Sequence, residues 1–309
     1  MTRERTMHPS LRRWRVWVQA ARPFSFTASM TPVFLGAALA PFFQQSARWW
    51  LLPLIVIASL MIHAATNLVN EYYDYQKGVD RPGSYGGSRV LVEHLLLPQH
   101  VLWGGIVLFG LTACIGLVFI AIYGWPILVL GLVGMLGGFF YTAAPVGYKY
   151  LGLGDVLVFI LMGPLMVIGS FYVLTGAYRH EVLLVSLPVG CLVAAILSAN
   201  NLRDILHDTH AGIRSTASVL GHRRAKWEYS GLVIGAYVST GAMIAFGILP
   251  WWSLLTLAAA PLAVKNIRAA LKSRIDRPEQ IATLDVQTAK LHLLFGVLLV
   301  VSILIEAFR

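Results

Sequence analysis

Carboxylates and carboxamides recur in two segments of this 309-residue chain. The first runs Asn67-Leu68-Val69-Asn70-Glu71-Tyr72-Tyr73-Asp74 and is followed by Asp80; the second runs Asn200-Asn201-Leu202-Arg203-Asp204 and is followed by Asp208. Both have the form N-x-x-x-D with a further Asp a short way on, and both end an apolar helix. The whole chain holds only 14 acidic residues. Carboxylates are costly near a bilayer, so a cluster at such a place marks a functional site. Two clusters facing one another would hold divalent cations by hard oxygen ligands, and through them a diphosphate. Asn70 and Asn200 would add neutral oxygens or donors without further negative charge. Lys77, Arg89, Arg203 and Arg214 lie close by in sequence and can reach phosphate directly, Arg in bidentate fashion.

Helical spacing decides which of these residues share a face. Asn200, Asp204 and Asp208 are successive i,i+4 positions and drift by only roughly 80° in all; Asn70 and Asp74 pair in the same way. Asp80 cannot join them on a continuous helix. Gly78 offers a break, so Asp80 is expected to return from a loop. The stretch Arg81-Pro82-Gly83-Ser84-Tyr85-Gly86-Gly87-Ser88-Arg89 reads as a flexible basic cap that closes over a bound anion. A diphosphate held by metal at a membrane boundary points to ionisation of an allylic ester, since the charge developing on the leaving group is what Mg²⁺ and Arg or Lys stabilise best. The carbocation left behind needs a dry, aromatic surround. Tyr72, Tyr73, Tyr75, Tyr141, Phe139 and Phe140 flank the motif region, although Tyr and Trp also belong at membrane interfaces for anchoring alone. Lys149 and Asp155 flank a loop that can meet substrate, whereas His63, in mid-helix, reads as a packed or hydrogen-bonded residue.

The elements that position these residues follow from composition. Hydrophobic residues make up 57% of the chain and charged residues 12%, against about 25% charged in soluble domains. The chain is therefore expected to be an all-α polytopic membrane protein. Nine apolar stretches are long enough to span, at about 24–43, 50–70, 100–122, 126–144, 153–174, 182–202, 228–248, 251–270 and 289–307. They form a single integral-membrane domain over 1–309, with 1–22 as an N-terminal tail and the first stretch a retained span rather than a signal sequence. With the N-terminus cytoplasmic, 21 of the 24 Lys and Arg residues fall on the inner side, leaving Arg48, Arg179 and Arg309 outside. The positive-inside rule thus accounts for the net charge of +10, and no nucleic acid is needed to explain it. Both motifs then end spans at the cytoplasmic face, four helices apart, as in a parallel repeat. Cys114 and Cys191 lie inside apolar stretches and read as buried free thiols.

At these residues the chain resembles the UbiA superfamily of intramembrane aromatic prenyltransferases. Within it the chain is most similar to the 1,4-dihydroxy-2-naphthoate polyprenyltransferases of menaquinone synthesis, the MenA type. Asn67 to Asp80 (NLVNEYYDYQKGVD), Gly86 to Glu93 (GGSRVLVE) and Asn200 to Gly212 (NNLRDILHDTHAG) carry the likeness, together with Tyr141-Thr142-Ala143-Ala144-Pro145 and Gly152-Leu153-Gly154-Asp155. Many members carry Tyr-x-x-x-Lys in that last loop; here Pro145 stands four residues after Tyr141, and the nearby lysine is Lys149. The resemblance implies nine helices around a central cavity in a bacterial cytoplasmic (inner) membrane, open to the cytoplasmic face and laterally to lipid, with the C-terminus on the far side. It implies Mg²⁺ on Asp74, Asp80, Asp204 and Asp208, with Asp74, Asp204 and Lys149 catalytic. Asn70, Lys77, Arg89, Asn200 and Arg203 would hold diphosphate; Tyr72, Tyr73, Tyr141 and Asn67 would meet the prenyl chain or the ring. The substrates would be a polyprenyl diphosphate and an aromatic acceptor, with no protein partner required.

Two other readings stay open on sequence. The acceptor can be 4-hydroxybenzoate, homogentisate, a tetrapyrrole or a glycerol phosphate lipid, and a cation-coupled transporter also places acids in a membrane. Transporter sites, however, lie near the midplane on broken helices, whereas these acids sit at helix ends on one side. Single cysteines placed at positions 84 and 215 in a Cys-free background are expected to label from the same, cytoplasmic, side. Labelling from opposite sides would rule out one shared site.

Overall fold

The computed structural model describes residues 9–82 and 86–309. Arg3 and Arg5 of the expected tail and Gly83 of the expected cap lie outside the described residues. Helices are α1 (Pro9–Ala21), α2 (Thr27–Phe42), α3 (Leu52–Gln76), α4 (Pro98–Tyr123), α5 (Trp125–Phe139), α6 (Gly154–Ile160), α7 (Met166–Thr175), α8 (His180–His210), α9 (Thr216–Leu220), α10 (His222–Ala245), α11 (Ala260–Lys272) and α12 (Leu284–Ala307). Among the described residues there is no strand, only an isolated bridge between Leu151 and Arg214. The all-helical expectation therefore holds. In a bilayer that is the economical solution, because a helix satisfies its own backbone groups where no water can.

Seven helical stretches among the described residues are long and apolar enough to cross a membrane: Pro23–Phe42, Trp49–Gln76, Pro98–Tyr123, Gly154–Thr175, His180–His210, Trp251–Lys272 and Pro278–Ala307. On that measure the described residues hold seven, against the nine expected. The other two expected stretches are helical as well. Trp125–Phe139 has only 15 residues, about 22 Å of helix against a hydrocarbon core of about 30 Å. His222–Ala245 has the length, but its first two turns carry Arg223, Arg224, Lys226 and Glu228.

Packing places α2, α8 and α12 at the centre. Helix α3 lies along α4, α2 along α7 and α12, and α8 along α6, α10 and α12. Leu35, Leu39, Phe171, Leu192, Tyr229 and Phe295 are fully buried where these helices meet. Between lipid-bathed helices water supplies no driving force, so small residues that let backbones approach become the contact. A Cβ on Gly36 would stand 2.6 Å from the Val167 carbonyl oxygen and 2.9 Å from Ser170 Cβ. Likewise a Cβ on Gly163 would meet Gly190 Cα at 2.5 Å. Gly163 lies in a π-helical turn, Leu161–Leu165, which carries Pro164 and joins α6 to α7. The expected polar tail is partly structured: α1 sets Val16, Trp17 and Ala20 against Leu68, Val90, Leu91 and Val101.

Gly36→Ala is expected to destabilise the fold by about 1–3 kcal/mol, the usual cost of overfilling a packed contact. It should lower the thermal unfolding midpoint in detergent, whereas Gly110→Ala, with nothing within 4 Å of its Cβ position, should leave it unchanged. Equal midpoints for the two variants would mean that the α2–α7 contact is not tight.

Candidate active site

Both motifs come to one cavity of about 360 Å³. Asn70 and Asp74, in the last two turns of α3, face Asn200, Asp204 and Asp208 on α8, and Asp80 returns from the turn after α3. Gly78 takes a positive φ of 68° there, the break that lets Asp80 reach back. Tyr141 and Lys149 close the same end from the connection between α5 and α6. One helical face thus supplies each acid set, and a tight turn adds the acid that the face could not carry. Further from the acids the wall becomes apolar, with Ile62, Leu161, Met162, Leu165, Val193 and Ile196.

Buried acids need counter-charge, and each set has its own. Lys149 Nζ lies 2.6 Å from Asp74 Oδ2 and 3.3 Å from Asn70 Oδ1. Tyr150 donates its hydroxyl proton to Asp74 Oδ1 at 2.8 Å. Burial first, and then the Asp74 carboxylate, push the Tyr150 phenol well above its ordinary range, so it stays a donor at neutral pH. Lys77 lies over the Tyr150 ring, 4.0 Å from its centroid, and braces it. On α8, Arg203 spreads its fork over three residues of two helices. Nε and Nη2 hold both Asp204 oxygens at 2.9 and 2.7 Å, Nη2 also donates to Asn200 Oδ1, and Nη1 holds Asp285 Oδ2 of α12 at 2.8 Å. Arg203 itself is only 4% exposed, so no water replaces these partners.

Asp80 is held differently. It is buried, its Oδ2 receives no hydrogen bond from the described residues, and Arg22 Nη2 is 3.9 Å away. A Cβ on Gly87 would run into this carboxylate at 2.5 Å, so the backbone lies directly against it. Burial and the neighbouring Asp74 push the Asp80 carboxyl up to about 6. Arg22 is pledged to Glu71, which is fully buried and also accepts the Ser88 amide at 2.9 Å. Gln19 donates to the Ser88 carbonyl at 2.8 Å. His207, between the two α8 acids, meets the Val79 carbonyl oxygen at 2.5 Å and Arg81 at 3.3 Å. It clips the first motif's turn to the second motif's helix.

The expected site residues therefore divide. Asn67, Asn70, Asp74, Asp80, Tyr141, Lys149, Asn200, Asp204 and Asp208 line the cavity; Tyr72, Tyr73, Lys77, Arg89 and Arg203 do not. Tyr72 and Tyr73 stack edge to face at 5.1 Å, and Tyr73 packs toward Phe139 and Phe140. Arg89 has a positive φ of 65° and its side chain, 58% exposed, pairs with Glu93 at 3.2 Å. Arg203 and Lys77 act from behind the residues that face the cavity. Sequence reading passed over Arg22, Tyr150, His207 and Asp285. Tyr150 and His207 adjoin residues already singled out, but Asp285 sits 82 positions from its partner Arg203, and only the packing of α12 on α8 brings them together.

No three His, Cys, Asp or Glu side chains among the described residues converge as a ready-made metal site. The oxygens do suit a hard divalent cation shared with a ligand: Asp74 and Asp80 on one wall, Asp204 and Asp208 on the other, and on Asp80 a buried oxygen without a donor.

Comparison with known proteins gives the same class. Residues 29–294 match the model of the UbiA prenyltransferase family, and the chain belongs to that family. It is a prenyltransferase of the membrane. Among its relatives is the 1,4-dihydroxy-2-naphthoate octaprenyltransferase of Bacillus subtilis (strain 168), 31% identical over 291 residues, or 94% of this chain and 93% of that protein. The human UbiA prenyltransferase domain-containing protein 1 is 34% identical over 301 residues, 95% of this chain and 86% of that one. The fold matches a UbiA homolog from Aeropyrum pernix K1 with a TM-score of 0.70 at 17% identity, covering 91% of this chain and 97% of that one. It also matches a UbiA homolog from Archaeoglobus fulgidus bound to GPP and Mg²⁺, with a TM-score of 0.58 at 16% identity over 93% and 99% of the two chains.

Arg203→Lys keeps the charge but cannot serve Asp204, Asn200 and Asp285 together. Leaving one of these buried acceptors without its donor costs about 1–3 kcal/mol, so prenyl transfer by the purified variant should fall about tenfold or more. A rate equal to that of the unaltered enzyme would show that the Arg203 brace is dispensable.

Proposed function

We propose that this protein transfers a polyprenyl group from a polyprenyl diphosphate to 1,4-dihydroxy-2-naphthoate, with loss of CO₂, giving the quinol form of demethylmenaquinone. The observation that carries this reading is a single cavity with two facing Asn/Asp sets at one end and an apolar wall at the other. That division suits a molecule with a diphosphate head and a hydrocarbon tail, and the naphthoate octaprenyltransferase of B. subtilis supports the choice of acceptor. Asp74, Asp80, Asp204 and Asp208 would hold Mg²⁺, which when bound would supply neutralisation of the diphosphate charge.

The chain's own residues do the rest. Asn70 and Asn200 hold the diphosphate from either wall, and Lys149, already beside both Asn70 and Asp74, follows the charge that grows on the leaving oxygen. Lys77 and Arg203 support the site from behind through Tyr150 and Asp204. As the allylic C–O bond breaks, its electron pair goes to the diphosphate. The electron-rich ring then attacks the allylic carbon, and CO₂ leaves with its bonding pair returned to the ring. Tyr141 and the apolar wall keep water from the cation meanwhile.

We also propose nine membrane passes, with the site at the cytoplasmic face of the bacterial inner membrane and the C-terminus opposite. Chain geometry supports the two short or polar helices as passes. Helix α5 starts where α4 ends, yet Lys149 beyond it returns to Asp74 on α3. Lys226 at the start of α10 donates to Ser273 just beyond α11 at 2.6 Å, so α10 and the stretch Trp251–Lys272 go out and come back. A cation-coupled transporter fits less well, because the acids gather at helix ends rather than on broken helices at mid-depth.

Asp74→Asn and Asp204→Asn should each abolish transfer, or raise the Mg²⁺ concentration needed for it, while leaving insertion and folding intact. Steady-state rates titrated with Mg²⁺ measure this directly. Near-normal rates at ordinary Mg²⁺ in either variant would dismiss the shared-metal reading.

A further inference from the structure

Deeper in the same cavity, on the face of α3 that carries Asn70 and Asp74, His63 takes part in a polar cluster that the diphosphate chemistry does not use. Its Nε2 lies 3.0 Å from Ser25 Oγ and its Nδ1 is bonded to Ser29 Oγ. Asn67, one turn further along α3, donates to Ser25 Oγ at 3.1 Å and to the Ala21 carbonyl at 2.8 Å. Phe26 meets the imidazole edge to face at 5.4 Å. Ser25, Ser29, His63 and Asn67 all line the cavity, among Phe24, Ala28 and Ile62. A polar group set in such a wall needs a partner, and serine and histidine here are each other's.

Counting protons decides what this cluster offers to a ligand. The Ser25 hydroxyl donates to the Arg22 carbonyl at 2.8 Å, an oxygen that can only accept; with its proton there, the 3.0 Å contact to His63 takes its proton from Nε2. The ring's hydrogen-bond partners among the described residues are the two serines; an unpaired imidazolium in such a wall is costly, so the ring is neutral with a bare Nδ1. Ser29 must then donate to Nδ1. Both amide protons of Asn67 are also taken. The cluster has no proton left to give, but Ser29 Oγ keeps lone-pair capacity at the cavity wall. It suits a ligand that brings a proton, and it suits a carboxylate or phosphate oxygen poorly.

Distance fits the same ligand. His63 precedes Asp74 by 11 residues on α3, roughly 16 Å along the axis, enough for a metal-bound diphosphate head followed by a bicyclic ring. We propose that Ser29, held by His63, accepts a hydrogen bond from a ring hydroxyl of the aromatic acceptor, and that this contact sets the acceptor's orientation and its selection. The proposal rests on the aromatic-acceptor reading above. A hydrogen bond accepted from a ring hydroxyl leaves more electron density on its oxygen and on the ring carbons conjugated with it, so the contact favours the nucleophilic ring as well as its pose. Ser25 and Asn67 are positioning residues that fix the His63 tautomer.

The test compares 1,4-dihydroxy-2-naphthoate with its two mono-O-methyl ethers, using the purified full-length protein, one polyprenyl diphosphate and Mg²⁺. In the unaltered protein one of the two ethers should have an acceptor KM raised about tenfold or more, the scale of one lost hydrogen bond and an unpaired group. Ser29→Ala and His63→Phe should each raise the acceptor KM about tenfold, remove most of the discrimination between acceptor and ether, and leave the KM for polyprenyl diphosphate unchanged. Ser29→Thr, which keeps a hydroxyl, should restore the discrimination. An unchanged acceptor KM in Ser29→Ala, or equal rises for acceptor and diphosphate, overturns the proposal. If Ser29→Ala fails to fold, the ethers still decide: equal use of the acceptor and both ethers by the unaltered protein overturns it too. Failure of the broader reading is separate, since the unaltered protein would then prenylate no dihydroxynaphthoate at all.

Discussion

The constraint on which this structure turns is the gathering of carboxylates where water is scarce. Asp74, Asp80, Asp204 and Asp208 share one cavity end, and three of the four are almost fully buried. Like charges so placed repel strongly, and each loses hydration that only a cation or a donor can replace. The protein answers with cations: Lys149 from the α5–α6 connection, Arg22 from the entry to α2, and within α8 itself Arg203, which is held in turn by Asp285 of α12. These pairings tie the periphery of the bundle to its centre. The compensation is incomplete at Asp80, which is where a divalent cation has most to offer.

That arrangement also changes the view of the glycine-rich connection after α3. Its sequence suggests a basic cap with Arg89 as the anion-binding fork. In the structure Gly87 lies against Asp80, Ser88 is held from both sides by Glu71 and Gln19, and Arg89 turns outward to Glu93. The glycines let backbone approach a buried acid. Glu71, which sits beside Asn70 in the motif, faces away from the cavity and anchors the connection instead. One short run of α3 therefore serves two purposes on two faces.

The cavity itself is graded. Its acidic end lies at the ends of α3 and α8; within, the wall turns apolar around the His63 cluster. A reaction that separates a diphosphate from a carbocation benefits from such a gradient. In the proposed reaction the leaving group would stay with the charges, and the cation would be released away from water. The same gradient makes His63 and Ser29 conspicuous, since they are polar groups in a mostly apolar part of the wall.

Much was legible in the residues alone. Apolar stretches of about 20 residues set the helices, because a spanning backbone must satisfy itself, and i,i+4 spacing put Asn70 with Asp74 and Asn200 with Asp204 and Asp208. The break at Gly78 that returns Asp80 was visible too. What the sequence alone could not decide is which way a neighbouring side chain turns and what distant segment meets it. Tyr72 and Tyr73 look like cavity aromatics by proximity to Asp74, yet helical rotation carries them off its face. Arg203 looks like a phosphate ligand, but it braces Asp204 from behind because α12 brings Asp285 to it. Local periodicity is a property of the chain. Arg203 pairs with its neighbour Asp204, but the cations that meet Asp74, Asp80 and Glu71 come from segments tens of residues away, so tertiary packing alone assigned them.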